Sequence, residues 1–170
     1  RVAAEAETRQ TLGREVTLAE IYAHPALQGT DPAAECAAEL AMIAPNRPVA
    51  QAAAACHARG QKVYAVSDMY LPKEQIEAML QKCGLDFLDG VFVSCEYGVQ
   101  KRSGKLFKLF LQQTALRPAE VLFVGDSPRA DFAGAALAGI RCFLLPQPTP
   151  LPYTKTPADA VGGVAIATLQ

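Results

Sequence analysis

The sequence lacks an excess of either charge, since 16 lysines and arginines stand against 17 aspartates and glutamates in a chain of 170 residues. A formal net charge of −1 creates no overall field that would attract nucleic acid or an anionic membrane, so we predict neither as a partner. The sequence also lacks the run of about 20 apolar residues that a membrane-spanning helix needs. Its first ten residues form a charged helical pattern rather than a signal sequence. We therefore expect a soluble, cytoplasmic protein.

The chain contains no Cys-x-x-Cys pair, and its five cysteines are an odd number. Both features argue against a disulfide framework and against a zinc clamp, so we expect the cysteines to be small buried apolar residues. His24 and His57 lie in alanine-rich helical patterns that offer no third metal ligand. We assign no functional role to either histidine.

Residues 1–60 have no strand-like apolar run and predict a mainly helical unit of four helices. Thr17 and Glu20 have the spacing of a capping box, which marks the start of the second helix, over residues 17–27. Asp31-Pro32 begins the third helix, which extends to about Ile43, and Gly60 ends the fourth. The acidic residues of this unit, Glu15 among them, are expected to lie within helices.

Residues 61–146 alternate short apolar runs with helical segments. The apolar runs are KVYAVSD, GVFVSCE, EVLFVGD and IRCFLLP. The helical segments between them cover residues 72–82, 104–114 and 129–138. This alternation predicts an α/β fold with a doubly wound, Rossmann-like parallel sheet. Residues 147–170 are expected to be a C-terminal tail, in which PQPTPLPY runs extended over the surface and AVGGVAIATLQ fits no single assignment.

Polar residues follow three of the four predicted strands, at the sheet edge where open α/β sheets bind ligands. Ser67 ends the first strand, Lys101 follows the second, and Asp126 and Asp131 follow the third. A serine hydroxyl and a lysine suit phosphate oxygens, and two carboxylates suit Mg²⁺. Each feature also has a structural explanation when it is taken alone: Ser67-Asp68 as a helix cap, Lys101 as a solvated surface charge, and Gly125-Asp126 as a turn.

The order and spacing of these features resemble the haloacid dehalogenase (HAD) superfamily of phosphohydrolases. KVYAVSDMYLP is similar to the family's second motif, an apolar strand that ends in Ser or Thr. QKRSGKLFKLF is similar to its third motif, a Lys before a helix, and VLFVGDSPRAD to its fourth, a strand that ends in Gly-Asp with a second Asp shortly after. The resemblance covers residues 61–146, and the helices of residues 1–60 resemble part of the helical cap of these enzymes.

The resemblance implies a Mg²⁺-dependent hydrolase that acts on a small phosphate monoester through an aspartyl-phosphate intermediate. It implies that Ser67 and Lys101 bind the phosphoryl oxygens, that Lys101 also acts in catalysis by steadying the nucleophile, and that Asp126 and Asp131 hold Mg²⁺. Asp68 is expected to cap the helix that follows it. Neither the substrate nor the oligomeric state follows from the sequence.

The family's first motif, an Asp-x-Asp that supplies the nucleophile, does not occur in these 170 residues. The resemblance therefore implies a nucleophile in a segment before Arg1 and an inactive chain as given. The alternative is a HAD-like binding or scaffolding domain without catalysis, and a metal-independent dehalogenase is a third possibility, which the aspartate pair disfavours. Because the missing strand would lie between those that end at Ser67 and Gly125, we expect these two strands not to pair with each other unless the topology differs.

Overall fold

The computed structural model describes residues 1–146 and the backbone of residues 163–167. The helices are α1 (Val2–Leu12), α2 (Leu18–Tyr22), α3 (Pro32–Met42), α4 (Arg47–Ala58), α5 (Lys73–Lys82), α6 (Ser94–Tyr97), α7 (Lys105–Thr114) and α8 (Gly134–Leu137). The strands are β1 (Lys62–Ser67), β2 (Gly90–Val93), β3 (Val121–Gly125), β4 (Arg141–Leu144) and β5 (Gly163–Ala167). None of the helices in these ranges is long and apolar enough to cross a bilayer.

The first 60 residues form the helices α1 to α4, as the sequence predicts. Thr17 and Glu20 make the predicted capping box at the start of α2. This helix ends at Tyr22 and is followed by a 3₁₀ turn, Pro25–Leu27, so the prediction of one helix over 17–27 was too long. The reason is Pro25, which disfavours helical geometry at His24.

The capping box at α2 makes the stability of the protein depend on pH. Hydrogen bonds from Arg14 and Thr17 lower the pKa of Glu20 to about 2, from an ordinary 4.5. Because the folded-state pKa is the lower one, this stabilisation is present above pH 4.5 and is lost as the pH falls toward 2. In urea unfolding from pH 6 to pH 2, we expect Glu20→Gln to be less stable than the wild type at pH 6 and the difference to vanish near pH 2. A difference that stays constant with pH would contradict this assignment.

The sheet has the strand order β2-β1-β5-β3-β4. The four predicted strands are β1 to β4, and the pairs β1–β2 and β3–β4 are parallel. Val63 of β1 packs with Ala53 of α4, whereas Val66 packs with Phe110 of α7 in a separate cluster. Because residues three apart on a strand point to opposite faces, helices cover both faces of the sheet. The doubly wound α/β architecture is confirmed.

The strand β5 lies between β1 and β3 and is antiparallel to both. The strands that end at Ser67 and Gly125 therefore do not pair with each other, as expected. The occupant of the gap comes from AVGGVAIATLQ, the segment that the sequence left unassigned. The proline-rich segment PQPTPLPY, expected to run over the surface, lies outside the described residues.

The segment predicted as a helix over 129–138 has two parts. Pro128–Ala133 forms a π-helical turn, and α8 follows directly from Gly134. The backbone N–H groups of Asp131 and Phe132 both donate to the carbonyl of Ser127, which widens the turn. Turns of this kind often occur at functional sites, because they place a side chain where a regular helix would not.

The five cysteines are free thiols, of which Cys56 and Cys95 are buried. The other three are partly buried, so the expectation of buried apolar residues holds fully for two of the five. Burial raises the pKa of Cys95 to about 12 and that of Cys142 to about 11. Both side chains are therefore neutral thiols at pH 7 and poor nucleophiles.

Candidate active site

Lys101 and Asp131 form a buried ion pair beside the carboxyl end of β3. Lys101 starts a 3₁₀ turn after α6 and is 5% exposed, and Asp131 lies in the π-helical turn and is 1% exposed. The Lys101 ammonium donates to Asp131 Oδ1 at 2.6 Å and lies 5.7 Å from the centre of the Phe123 ring. Because both groups are buried and directly hydrogen-bonded, removing either one would leave the charge of the other buried without a partner.

The second oxygen of Asp131 binds the turn that follows β3. Oδ2 accepts the backbone N–H groups of Asp126 and Ser127, each at 3.0 Å. A Cβ atom at Gly125 would lie 2.4 Å from this oxygen, so the approach of the carboxylate requires glycine at that position. Asp131 therefore connects the β3 turn to Lys101 and uses both of its oxygens to do so.

Asp68 belongs to the same cluster, and its predicted role as a helix cap was wrong. Pro72 occupies the cap position of α5, and the Asp68 carboxylate accepts the backbone N–H of Lys101 at 2.8 Å. The reason is that α5 begins five residues after Asp68, too far for a capping contact. Burial raises the pKa of the Asp68 carboxyl, and the attraction of Lys101 only partly opposes this. A carboxyl with a raised pKa beside a buried lysine is typical of active sites.

Glu15 was missed by the sequence analysis, which expected it within a helix. It lies between α1 and α2, is 2% exposed, and binds two side chains that follow β2. Its carboxylate accepts the hydroxyl of Ser94 at 3.1 Å and the side-chain amide of Gln100, and it pairs with Arg9 at 3.1 Å. Gln100 directly precedes Lys101, so Glu15 links the helical unit to the lysine turn. Only the break at Gly13 hinted that this glutamate was not helical.

Ser67 lies at the end of β1, and its side chain makes no hydrogen bond to Lys101 or Asp131. Its side chain lines an apolar cavity beside α5 and is 4% exposed. Its hydroxyl has no hydrogen-bond partner within residues 1–146. The structure connects Ser67 to the cluster through the chain, because the next residue is Asp68.

Asp126 contacts the cluster through its backbone N–H, while its side chain is exposed. Across the described residues, no three His, Cys, Asp or Glu side chains are arranged to hold a metal ion. Asp131, the second predicted ligand, is already bonded to Lys101 and to two N–H groups. The residues present therefore do not form a magnesium site by themselves, because Asp126 offers one free carboxylate and Mg²⁺ requires near-octahedral oxygen ligands.

The cluster can bind and stabilise an anion at the sheet edge. Lys101 provides a positive charge in surroundings of low polarity, where it acts more strongly than it would in water. Asp68 can hold a proton above the pH range usual for aspartate, because its pKa is raised. A positive charge and a proton donor beside the reacting centre both assist acyl or phosphoryl transfer. The cluster itself contains no identified nucleophile.

A family model described as "Hydrolase: haloacid dehalogenase-like hydrolase" matches residues 2–139 of the chain. Phosphoserine phosphatase of Thermus thermophilus is 41% identical over 51 residues, which cover 30% of this chain and 20% of that protein. Haloacid dehalogenase-like hydrolase domain-containing protein 3 of Bos taurus is 32% identical over 97 residues, which cover 56% of this chain and 38% of that protein. The matched region thus spans less than two fifths of either relative.

The fold is also similar to that of solved structures. The crystal structure of CbbY from Rhodobacter sphaeroides in complex with phosphate superposes with a TM-score of 0.58 at 19% sequence identity. The superposition covers 92% of this chain and 83% of CbbY. At this level of identity the likeness concerns the fold alone.

Proposed function

Because this chain belongs to the haloacid dehalogenase-like hydrolase family, we propose that the protein hydrolyses phosphate monoesters. The observation that carries the proposal is the buried Lys101, which Asp131 holds at the carboxyl end of the sheet at 2.6 Å. Burying a charged lysine costs free energy unless the charge is paired. A buried lysine at the sheet edge where α/β folds bind ligands therefore favours the binding of an anion there.

In the proposed reaction, Lys101 attracts the phosphoryl oxygens and lowers the energy of the negative charge that builds up during transfer. Ser67 donates its free hydroxyl to one phosphoryl oxygen. Asp131 positions Lys101 and shapes the turn that carries Asp126. Asp68 positions the lysine turn through the Lys101 N–H.

The attack on phosphorus is assigned to an aspartate outside these 170 residues, since no Asp-x-Asp occurs among them. An aspartyl-phosphate would form and then be hydrolysed by water. A magnesium requirement is also proposed, with Asp126 as the carboxylate at the described sheet edge that is free to act as a ligand. Because the described residues do not complete such a site, no step of the reaction is assigned to the metal.

The test uses the protein expressed from its complete reading frame, with p-nitrophenyl phosphate as the substrate and with Mg²⁺ present or removed. We expect hydrolysis that depends on Mg²⁺ and falls at least tenfold in Asp126→Asn. The matched control is Asp86→Asn, another exposed aspartate, which follows α5 and contacts none of the cluster residues. Its activity should equal that of the wild type.

Three other results would lead to different conclusions. Metal-dependent turnover by the 170-residue chain itself would overturn the assignment of the nucleophile. A folded protein without any hydrolysis would overturn the phosphatase proposal in favour of the non-catalytic binding or scaffolding domain. Activity that is insensitive to both Mg²⁺ and Asp126→Asn would overturn the role of that aspartate.

A further inference from the structure

A small apolar cavity lies between the sheet and the helices α4 and α5, and Ser67 forms part of its wall. Its volume is about 60 Å³. Its lining side chains are almost all aliphatic. They come from β1, α4, α5, the segment between α3 and α4, and the segment after α5, and include Ile43, Val49, Ala50, Ala65, Met79 and Leu85. No charged side chain lines it among the described residues.

Three polar side chains line this cavity, and they differ in what they offer. The oxygen of Asn46 accepts the N–H of Val49 at 3.4 Å as the cap of α4. Cys83 is a neutral thiol, whose pKa burial raises. The Ser67 hydroxyl has no partner within the described residues although the residue is 4% exposed. The Ser67 oxygen is not fully buried, since Arg9 Nε is the one fully buried polar side-chain atom without a partner among the described residues. The Ser67 hydroxyl is therefore free to hydrogen-bond with a ligand in the cavity.

The size of the cavity limits what it can hold. A water molecule needs about 10–15 Å³ on the same measure, so the space takes roughly four to six non-hydrogen atoms. Apolar cavities can bind small hydrocarbons. A charged group would lose its hydration here without gaining a partner of opposite charge.

We propose that this cavity binds the organic group of the phosphate ester, and that this group is uncharged, apolar and about four to six non-hydrogen atoms in size. The inference rests on the proposed function and names its substrate class. Ser67 lies where the cavity meets the cluster, since Asp68 follows it and binds the Lys101 turn. The phosphoryl group then lies at Ser67 and Lys101, and the alkyl or cyclic group extends under α4. The exposed segment at residues 44–46 provides the entrance.

The first experiment measures binding without catalysis, with cyclopentanol as the probe and backbone amide NMR shifts as the readout. We expect saturable shifts around Ala50 and Met79, and none from butylammonium of similar size. Ala50→Leu fills the cavity and should raise the dissociation constant at least tenfold. Ala55→Leu makes the same change on an exposed position of α4 and should leave it unaltered.

The second experiment compares kcat/KM for cyclopentyl phosphate and glycerol phosphate, using the protein from its complete reading frame. We expect at least a tenfold preference for cyclopentyl phosphate, which Ala50→Leu removes without affecting p-nitrophenyl phosphate as strongly. Hydrolysis without cyclopentanol binding would overturn this inference and leave the proposed function intact. Cyclopentanol binding without any hydrolysis would overturn the proposed function, and with it the identification of the ligand as a phosphate ester.

Discussion

Replacing Asp131 with asparagine is expected to lower the free energy of unfolding by about 3–5 kcal/mol. The substitution leaves the Lys101 ammonium buried without an opposite charge. The amide oxygen of the asparagine can still accept the hydrogen bond that Asp131 Oδ1 accepts from Lys101 at 2.6 Å. It also weakens the acceptor for the N–H groups of Asp126 and Ser127. Urea unfolding monitored by circular dichroism measures the loss.

The matched control is Asp126→Asn, which makes the same chemical change five residues earlier on an exposed side chain. We expect its effect to stay within about 0.5 kcal/mol of the wild type. The double variant Asp131→Asn/Lys101→Met removes the orphaned charge, so it should lose less stability than the sum of the two single variants, by about 0.5–3 kcal/mol. Additive losses, or a stable Asp131→Asn, would show that the pair is not coupled.

Gly134→Ala is expected to destabilise the protein by about 3 kcal/mol. A Cβ atom at this position would lie 2.1 Å from the backbone carbonyl oxygen of Lys101, and a backbone atom cannot rotate away as a side chain can. Gly134 itself has ordinary helical angles, φ −64° and ψ −43°. Without the close contact, alanine would therefore be favoured over glycine by about 0.5–1 kcal/mol.

The opposite substitution, Ala136→Gly, serves as the control for helix propensity on the exposed side of α8. It should cost about 1 kcal/mol or less. If Gly134→Ala also moves α8 away from the lysine turn, the NMR signals of Lys101 and Asp131 should shift with it. A Gly134→Ala variant as stable as the wild type would mean that α8 and the turn do not approach each other in solution.

The architecture was predictable because its elements depend on local patterns. The four apolar runs became β1 to β4, since short runs that are apolar on both faces are typical of parallel sheets. Thr17 and Glu20 marked the start of α2 for a similar reason, because a capping box involves residues three positions apart. The π-helical turn at Pro128–Ala133 was not predictable, since its residue Asp131 also makes a tertiary contact, with Lys101, that a local pattern does not record.

The candidate site was predictable only in part. Lys101 and Asp131 were named from the spacing of their motifs, and the structure brings them into contact. Because Asp131 accepts this hydrogen bond from Lys101, its predicted role as a Mg²⁺ ligand stays a prediction. Glu15 could not be found in this way, because its partners Ser94 and Gln100 are about 80 residues further along the chain. Contacts at such separations leave no periodicity in a single sequence.

The position of β5 bears on how the chain reaches its folded state. Among the described strands, β5 is the one backbone connection between the pair β2–β1 and the pair β3–β4. Lys62 pairs with Ala167, a residue roughly a hundred positions away, so this connection has a high contact order. Each parallel pair can form from residues much closer in sequence, and closure of a long loop carries an entropic cost that local pairing does not. The two halves of the sheet are thus expected to be structured before β5 joins them, which makes this strand the last to assemble and the first to open in hydrogen exchange.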